Sequence, residues 1–245
     1  MKRLHWLLLL TMLAAGCGRA PMGVDLGLDR PVTPTPTPTA TPTPRLASLP
    51  SDPFTKKVDG KKIIPGDPVN MVMVGSEAAV HGAILKAGWI TAEPITFQTS
   101  LRMANAYAFN LPYPNSPMSP LFMFDREQDV GYQKNSADVR KRDHFRIWKT
   151  PVRDPNGRET WAIAATKDVK VRVINGPTHV IDPKIDEERA YVAQTLFETQ
   201  LVTDRYEIPG IGRPYQGKNG EGDPYETDGM AHVLVVAESA AFAAR

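Results

Sequence analysis

Basic and aromatic side chains alternate along one segment of this 245-residue sequence, and they offer its clearest potential for chemistry. Arg142, His144, Arg146 and Trp148 occupy every second position. Successive side chains of a β-strand point to opposite faces, so these four would share one face. Guanidinium groups bind phosphate or carboxylate through paired hydrogen bonds, and an exposed tryptophan often marks an interface. The pattern predicts an anion-binding face, which Arg126 could join from a neighbouring segment.

The same residues also allow a structural interpretation, in which the strand face is solvated and each arginine is already neutralised. Asp129, Asp143 and Asp168 are nearby carboxylates that could pair with these arginines. The sequence does not decide between an open site and such an ion-pair network.

A catalytic interpretation rests on His144, which could act as a general base oriented by Asp129 or Asp168, with help from His179. Two histidines and an aspartate could also bind a metal. His144 and His179 lie far apart in sequence, so only the fold could unite them. A Gly-x-Ser-x-Gly elbow and a free cysteine nucleophile are both missing. The catalytic residues therefore stay unassigned, and we expect neither a metal site nor a cofactor.

A glycine-rich segment at 210–222 supports a third possibility, a protein-interaction module that uses this loop and Trp148 for contact. The segment does not join a strand to a helix within a βαβ unit, so it is not a dinucleotide-binding fingerprint.

The N-terminus predicts a lipoprotein signal peptide over residues 1–16. Lys2 and Arg3 precede a short apolar stretch, Trp6–Ala15, which is about half the length of a membrane span. The small residues before Cys17, the only cysteine, resemble the site cut by lipoprotein signal peptidase. We expect lipidation at Cys17, with palmitate-like chains that hold the protein on the membrane of a bacterial cell envelope. Gly18 favours the outer membrane in a Gram-negative cell, with the domain facing the periplasm.

Residues 17–50 predict a lipidated, proline- and threonine-rich linker, and residues 51–245 a single domain. The linker should adopt extended polyproline II over a reach of roughly 40 Å. The chain has 29 basic and 27 acidic residues, and removing Lys2 and Arg3 leaves 27 of each. This balance gives no reason to expect nucleic acid as a partner. A single cysteine excludes disulfides within the chain.

The apolar patterns predict an α+β fold, a mostly antiparallel sheet with two main helices packed on it. One helix should begin after Ser76 and stop at Gly88. The other should begin at Asp182-Pro183. Arg189 falls on the apolar face of this second helix, where a guanidinium needs a carboxylate partner or must reach solvent.

Several motifs resemble the LssY C-terminal domain family over residues 65–237. They are Arg126-x-x-Asp129-x-x-x-Gln133, His144-x-Arg146-x-Trp148 and Ile181-Asp-Pro-x-Ile-Asp-x-Glu-Arg189, in that order. The resemblance implies no established activity and therefore transfers no catalytic residues. Members of the family are often attached to membrane-embedded modules, including ones similar to lipid-phosphate phosphatases. The Pro-Ser-Gly-His signature of those phosphatases is missing here.

Taken together, the sequence predicts an envelope-anchored lipoprotein whose domain binds an anionic ligand through Arg126, Arg142, His144, Arg146 and Trp148. The first alternative is a hydrolase acting on phosphorylated or lipid-linked envelope substrates. The second is a module that binds an envelope protein.

Overall fold

Strands dominate the computed structural model, which describes residues 42–135, 141–173, 177–212 and 215–238. Within those ranges the helices and strands are, in chain order, β1 (Phe54–Asp59), β2 (Lys62–Pro68), β3 (Met71–Val74), α1 (Glu77–Lys86), β4 (Ile90–Thr91), α2 (Phe97–Phe109), β5 (Phe122–Met123), β6 (Arg126–Glu127), β7 (Val130–Asn135), β8 (Arg142–Arg153), β9 (Glu159–Val173), β10 (Pro177–Ile181), α3 (Ile185–Phe197), β11 (Val202–Pro209), β12 (Gln216–Lys218), β13 (Pro224–Glu226) and β14 (Met230–Val236).

The main sheet has eight strands, seven of them in the order β11-β14-β3-β9-β8-β7-β4, with β10 paired to the far part of β9. The β3–β14 pair is parallel and the other pairs are antiparallel. The long strands β8 and β9 form a hairpin, and they carry Arg142 opposite Asp168 in register. A second sheet has the order β2-β1-β5-β6, and β12 and β13 form a separate pair.

Helices α1 and α3 cover one face of the main sheet. Val80 and Ile84 of α1 and Val192 and Leu196 of α3 join one buried cluster, to which β8 contributes Phe145 and Ile147. The apolar side chains of the two helices thus pack against the apolar side chains on one face of β8. This contact removes hydrophobic surface from water.

The opposite face of the main sheet is buried as well. Trp148 on this face packs with Leu121 and Met123 and is 0% exposed. Residues of β1, β2 and α2 lie around a cavity whose floor includes Arg142, His144 and Arg146. The polar half of β8 is therefore covered by protein, and the expectation of a solvated strand face is wrong.

The expected fold class is wrong in its balance of elements. Strands hold 43% and helices 20% of the structure, and the described residues form three helices and several sheets. The additional helix is α2, whose one buried residue is Ala106, whereas Phe97 and Leu101 are exposed. A helix without a buried apolar stripe gives no periodic signal, and strand β2 contains proline and glycine, which are unfavourable in a strand interior.

Several local predictions are confirmed. The Ser76 side chain accepts a hydrogen bond from the backbone N–H of Ala79 at the start of α1. Gly88 follows the end of that helix at φ +79°, a conformation that favours glycine. The third helix begins later than predicted, with Lys184 as its N-cap, because the Asp182 side chain accepts a hydrogen bond from the Lys184 N–H in a turn that precedes the helix.

The buried clusters of the described chain are formed by residues between Leu46 and Val236. The described residues from Thr43 onward form one compact unit that contains all of these clusters, so the fragment 43–245 carries its own core. The signal peptide, Cys17 and residues 18–41 of the predicted linker lie outside the described residues. Within the described residues, the helices are too short or too polar to cross a membrane.

Candidate functional site

A cavity of about 600 Å³ lies between the polar face of the main sheet, the β1–β2 hairpin and α2. Its charged and hydrogen-bonding lining comes from several elements and includes Lys57, Asp59, Asp67, Ser100, Tyr107, Ser119, Arg142, His144, Arg146, Asp168, Arg172, His179 and Glu221. Ligand sites are typically concave and of this size, with a few convergent polar groups.

Asp168 and Arg142 form the fixed centre of the cavity floor. The Arg142 Nε atom donates to Asp168 Oδ2 at 2.6 Å, and both side chains are about 95% buried or more. Arg142 Nη1 also donates to Ser116 Oγ and Gln133 Oε1, each at 3.2 Å. The guanidinium is occupied by protein acceptors, so Arg142 holds Asp168 in place, as the ion-pair interpretation expected of this residue.

Two histidines face the same carboxylate. The Nδ1 atom of His179 lies 3.1 Å from Asp168 Oδ2, and that of His144 lies 3.8 Å from it. The antiparallel pairing of β8 with β9 and of β9 with β10 brings together these histidines, which are distant in sequence.

The protonation states differ across this group. Burial is the main cause that lowers the pKa of His144 to about 3 and that of His179 to about 4, so both rings are neutral at pH 7. Burial alone would raise the pKa of Asp168, but His144, Arg142 and His179 outweigh it and lower that pKa to about 2. The centre is therefore an ionised carboxylate beside two neutral imidazoles.

Tyr107 of α2 is hydrogen-bonded to His179, whose ring lies against Asp168. The His179 Nε2 atom lies 2.7 Å from the Tyr107 hydroxyl, and its Nδ1 faces Asp168. Nδ1 makes no aligned hydrogen bond among the described residues, but the nearby carboxylate favours a proton on it. Nε2 is then the acceptor, and the Tyr107 hydroxyl donates to it. A phenol, an imidazole and a carboxylate in series form a path for a proton.

Two other arginines in the lining keep a donor without a partner. Arg146 contacts Asp67 Oδ2 through Nη1 at 3.1 Å and the Ser119 carbonyl through Nη2 at 3.2 Å. Arg172 contacts Asp223 through Nη1 at 2.9 Å. The Nε atoms of Arg146 and Arg172 are both buried, and neither has a hydrogen-bond partner among the described residues. A buried donor without an acceptor costs about 1–3 kcal/mol, so a further acceptor beside either atom would be stabilising.

The formal charges around the cavity balance when the histidines are neutral. Four cationic side chains, of Lys57, Arg142, Arg146 and Arg172, face the four carboxylates of Asp59, Asp67, Asp168 and Glu221. Lys57 contacts Glu221 at 2.6 Å, so most of these charges are paired. The lining therefore carries no formal excess of positive charge.

The structure separates the residues that the sequence placed on one face. Arg142, His144 and Arg146 line the cavity, together with Asp168 and His179. Arg126 lies elsewhere, forms an ion pair with Asp129 and donates to the Lys149 carbonyl at 2.7 Å. Asp129 accepts from the Lys149 N–H at 2.6 Å, so this carboxylate does not orient His144. Because Trp148 is buried beneath the second sheet, it is not available for contact with a ligand or partner.

Other cavity residues were missed by the sequence analysis. Tyr107 belongs to a helix that was not predicted, and Lys57 and Asp67 lie in strands that were not predicted. Arg172 alternates with Val171 and Val173, a pattern typical of a strand with one solvated side, but it lines the cavity. The alternation was visible, but the protein layer covering that side was not.

In the parts of the chain that the structure describes, no group of three or more His, Cys, Asp or Glu side chains is placed to hold a metal ion. The Nδ1 atoms of His179 and His144 lie 3.1 and 3.8 Å from Asp168 Oδ2, and neither has a hydrogen-bond partner among the described residues.

Comparison with known proteins identifies the family. The chain matches no curated protein and no solved structure. Residues 50–231 match the family model described as the LssY C-terminus. This match covers most of the chain and nearly all of the described domain. The chain therefore belongs to the LssY C-terminus family.

Proposed function

We propose that this protein is an envelope-anchored lipoprotein whose domain binds a phosphate- or carboxylate-bearing ligand in the cavity around Arg146. The two buried Nε donors of Arg146 and Arg172, which have no acceptor among the described residues, carry this proposal. An anion that accepts from them would satisfy donors that otherwise remain unpaired in a low-dielectric site. Of the five ligand-binding residues predicted from the sequence, we propose Arg146 as the main contact with the ligand.

Neutral His144 and His179 support the same ligand class. Their pKa values are lowered by burial and, in part, by Arg142 and Arg146. An incoming anion would offset the effect of the arginines by introducing negative charge next to the rings, so its binding should favour proton uptake.

The N-terminal lipid anchor would place this cavity near a membrane. The lipobox-like residues before Cys17 and the Pro/Thr-rich linker support this part of the proposal. An envelope location would expose the cavity to phosphorylated or lipid-linked molecules.

The test is a thermal-shift measurement on residues 43–245 with phosphate, diphosphate, sugar phosphates and acetate. A ligand at about 100 times its Kd adds about 2.7 kcal/mol of stability, which corresponds to roughly 5–10 °C for a domain of this size. We expect phosphate to raise the midpoint of the parent and to have much less effect on Arg146→Gln and Arg172→Gln.

Each variant is compared with its own midpoint without ligand, because Arg146→Gln also leaves Asp67 without its cationic partner. Arg126→Gln is the matched control, since that arginine is paired with Asp129 outside the cavity. An equal response of Arg126→Gln and Arg146→Gln, or no response of the parent to any anion, would refute an anion site at Arg146.

A further inference from the structure

We propose that the cavity is a hydrolytic site for phosphate esters, in which His179 acts as a general base through the Tyr107 hydroxyl. This inference rests on the proposed anion site and adds a reaction to it. Its basis is the chain Tyr107–His179–Asp168, which crosses from α2 to β10 and β9 and borders the same cavity as Arg146.

The geometry assigns each group a separate task. Asp168 lies 3.1 Å from Nδ1 of His179, so its charge favours the tautomer with the proton on Nδ1 and stabilises the imidazolium, while Arg142 holds Asp168. The remaining nitrogen, Nε2, accepts from Tyr107 and can take a proton from it. Arg146 and Arg172 supply the unsatisfied donors for the phosphoryl oxygens, whose negative charge must be held during transfer.

His144 is less suited to this task than His179. Its side chain is 2% exposed, and its Nε2 atom lies 3.3 Å from Thr166, which is itself buried. The His179 side chain is 22% exposed and its Nε2 atom faces a residue that lines the cavity. The base is therefore His179, with His144 as a neutral neighbour of the same carboxylate.

The proposed reaction balances without a cofactor. A water molecule attacks phosphorus, so that a new P–O bond forms while the P–O bond to the leaving alcohol breaks. The proton of the water passes to the Tyr107 oxygen as the Tyr107 proton moves to His179 Nε2. The imidazolium, stabilised by ionised Asp168, returns one proton through Tyr107 to the leaving oxygen. The products are an alcohol and phosphate, and all three side chains are regenerated.

Oxygen exchange between water and inorganic phosphate tests this chemistry without knowledge of the natural ester. In exchange, water attacks bound phosphate and an oxygen of that phosphate leaves as water, so the same relay is required. Residues 43–245 are incubated with ¹⁸O-labelled phosphate in ordinary water, and loss of label is followed by ³¹P NMR. We expect exchange in the parent and a fall of about 100-fold or more in His179→Gln.

Tyr107→Phe keeps the ring and removes only the hydroxyl, so it should also lower exchange strongly. Both variants should keep the thermal shift caused by phosphate, which shows that the cavity is still folded. His232→Gln and Tyr191→Phe are matched controls, because these residues do not line this cavity, and they should exchange at the rate of the parent. Exchange in the parent should also increase as the pH rises through about 4, where His179 loses its proton, a response that a purely structural role would not give.

The outcomes separate the two proposals. Phosphate binding without exchange in the parent overturns the hydrolytic inference and leaves the anion site standing. Neither binding nor exchange overturns both. Exchange that persists in His179→Gln at the parental rate overturns the assignment of His179 as the base.

Discussion

The side chains on the two faces of β8 show why residue types alone could predict only part of the candidate site. Their alternation was correctly predicted: Phe145 and Ile147 enter one core, and Arg142 and Arg146 face the other way. The sequence could not show that a second sheet covers the polar face. That covering layer buries Trp148 and turns three polar residues from a surface stripe into the floor of a cavity.

The requirement of Arg189 for a carboxylate partner or for access to solvent could be predicted from the sequence. It lies on the buried face of α3 and is 4% exposed, and its guanidinium donates to both carboxylate oxygens of Asp228. A buried guanidinium is tolerated when such partners are present. The sequence predicted the need for a carboxylate, but only the fold brings Asp228 from the loop before β14.

Glu188 gives a prediction on pH and stability. This buried residue lies near Asp143, and burial followed by that carboxylate raises the pKa of Glu188 from 4.5 to about 9. The folded state therefore holds a proton that the unfolded state releases above pH 4.5. The contribution of Glu188 to the free energy of unfolding is fully present below that pH and is lost as the pH rises toward 9.

Glutamine resembles the neutral carboxyl and does not titrate. We therefore expect the free energy of unfolding of Glu188→Gln to depend less on pH between pH 5 and 8 than that of the parent. The slopes of the free energy of unfolding against pH should differ between the two proteins by up to about 1.4 kcal/mol per pH unit. Urea unfolding at several pH values measures it, with Glu187→Gln as the control because that side chain is 71% exposed. Parallel stability profiles for the parent and Glu188→Gln would show that Glu188 is ionised in the fold.

At the scale of elements, a helix could be predicted from the sequence when one of its faces is buried against the core. Helices α1 and α3 bury apolar faces in the largest cluster, and both were predicted. Helix α2 has a capping box between Thr96 and Thr99 but exposes Phe97 and Leu101. Its start signal was present in the sequence, but the apolar periodicity that normally accompanies it was not.

The missing helix also explains why the candidate site was incomplete. Tyr107 lies on α2 and reaches His179 on β10, 72 residues further along the chain. Such a contact depends on tertiary packing, and no local pattern encodes it. The same holds for Asp67 of β2, which meets Arg146 of β8. The histidine and aspartate candidates were named from the sequence, but their partners could be found only in the fold.

At the scale of the whole molecule, the predicted N-terminal lipid anchor can be tested independently of the folded domain. If Cys17 is lipidated, the full chain produced in a Gram-negative host should incorporate labelled palmitate and fractionate with membranes. Cys17→Ser should lose both properties, since it removes the thiol that accepts the lipid. Gly18→Asp is the matched control, and it should keep the label while moving to the inner membrane. Label retained by Cys17→Ser would contradict the predicted anchor.

The central claim is that the cavity accepts an anion at Arg146, and a crystal structure of residues 43–245 grown with phosphate tests it most directly. We expect tetrahedral density within hydrogen-bond distance of Arg146 Nε, on the same side of the cavity as the Tyr107–His179 pair. Phosphate found only at exposed lysines, with water alone beside Arg146 and Arg172, would contradict the claim and identify these arginines as parts of the fold rather than a binding site.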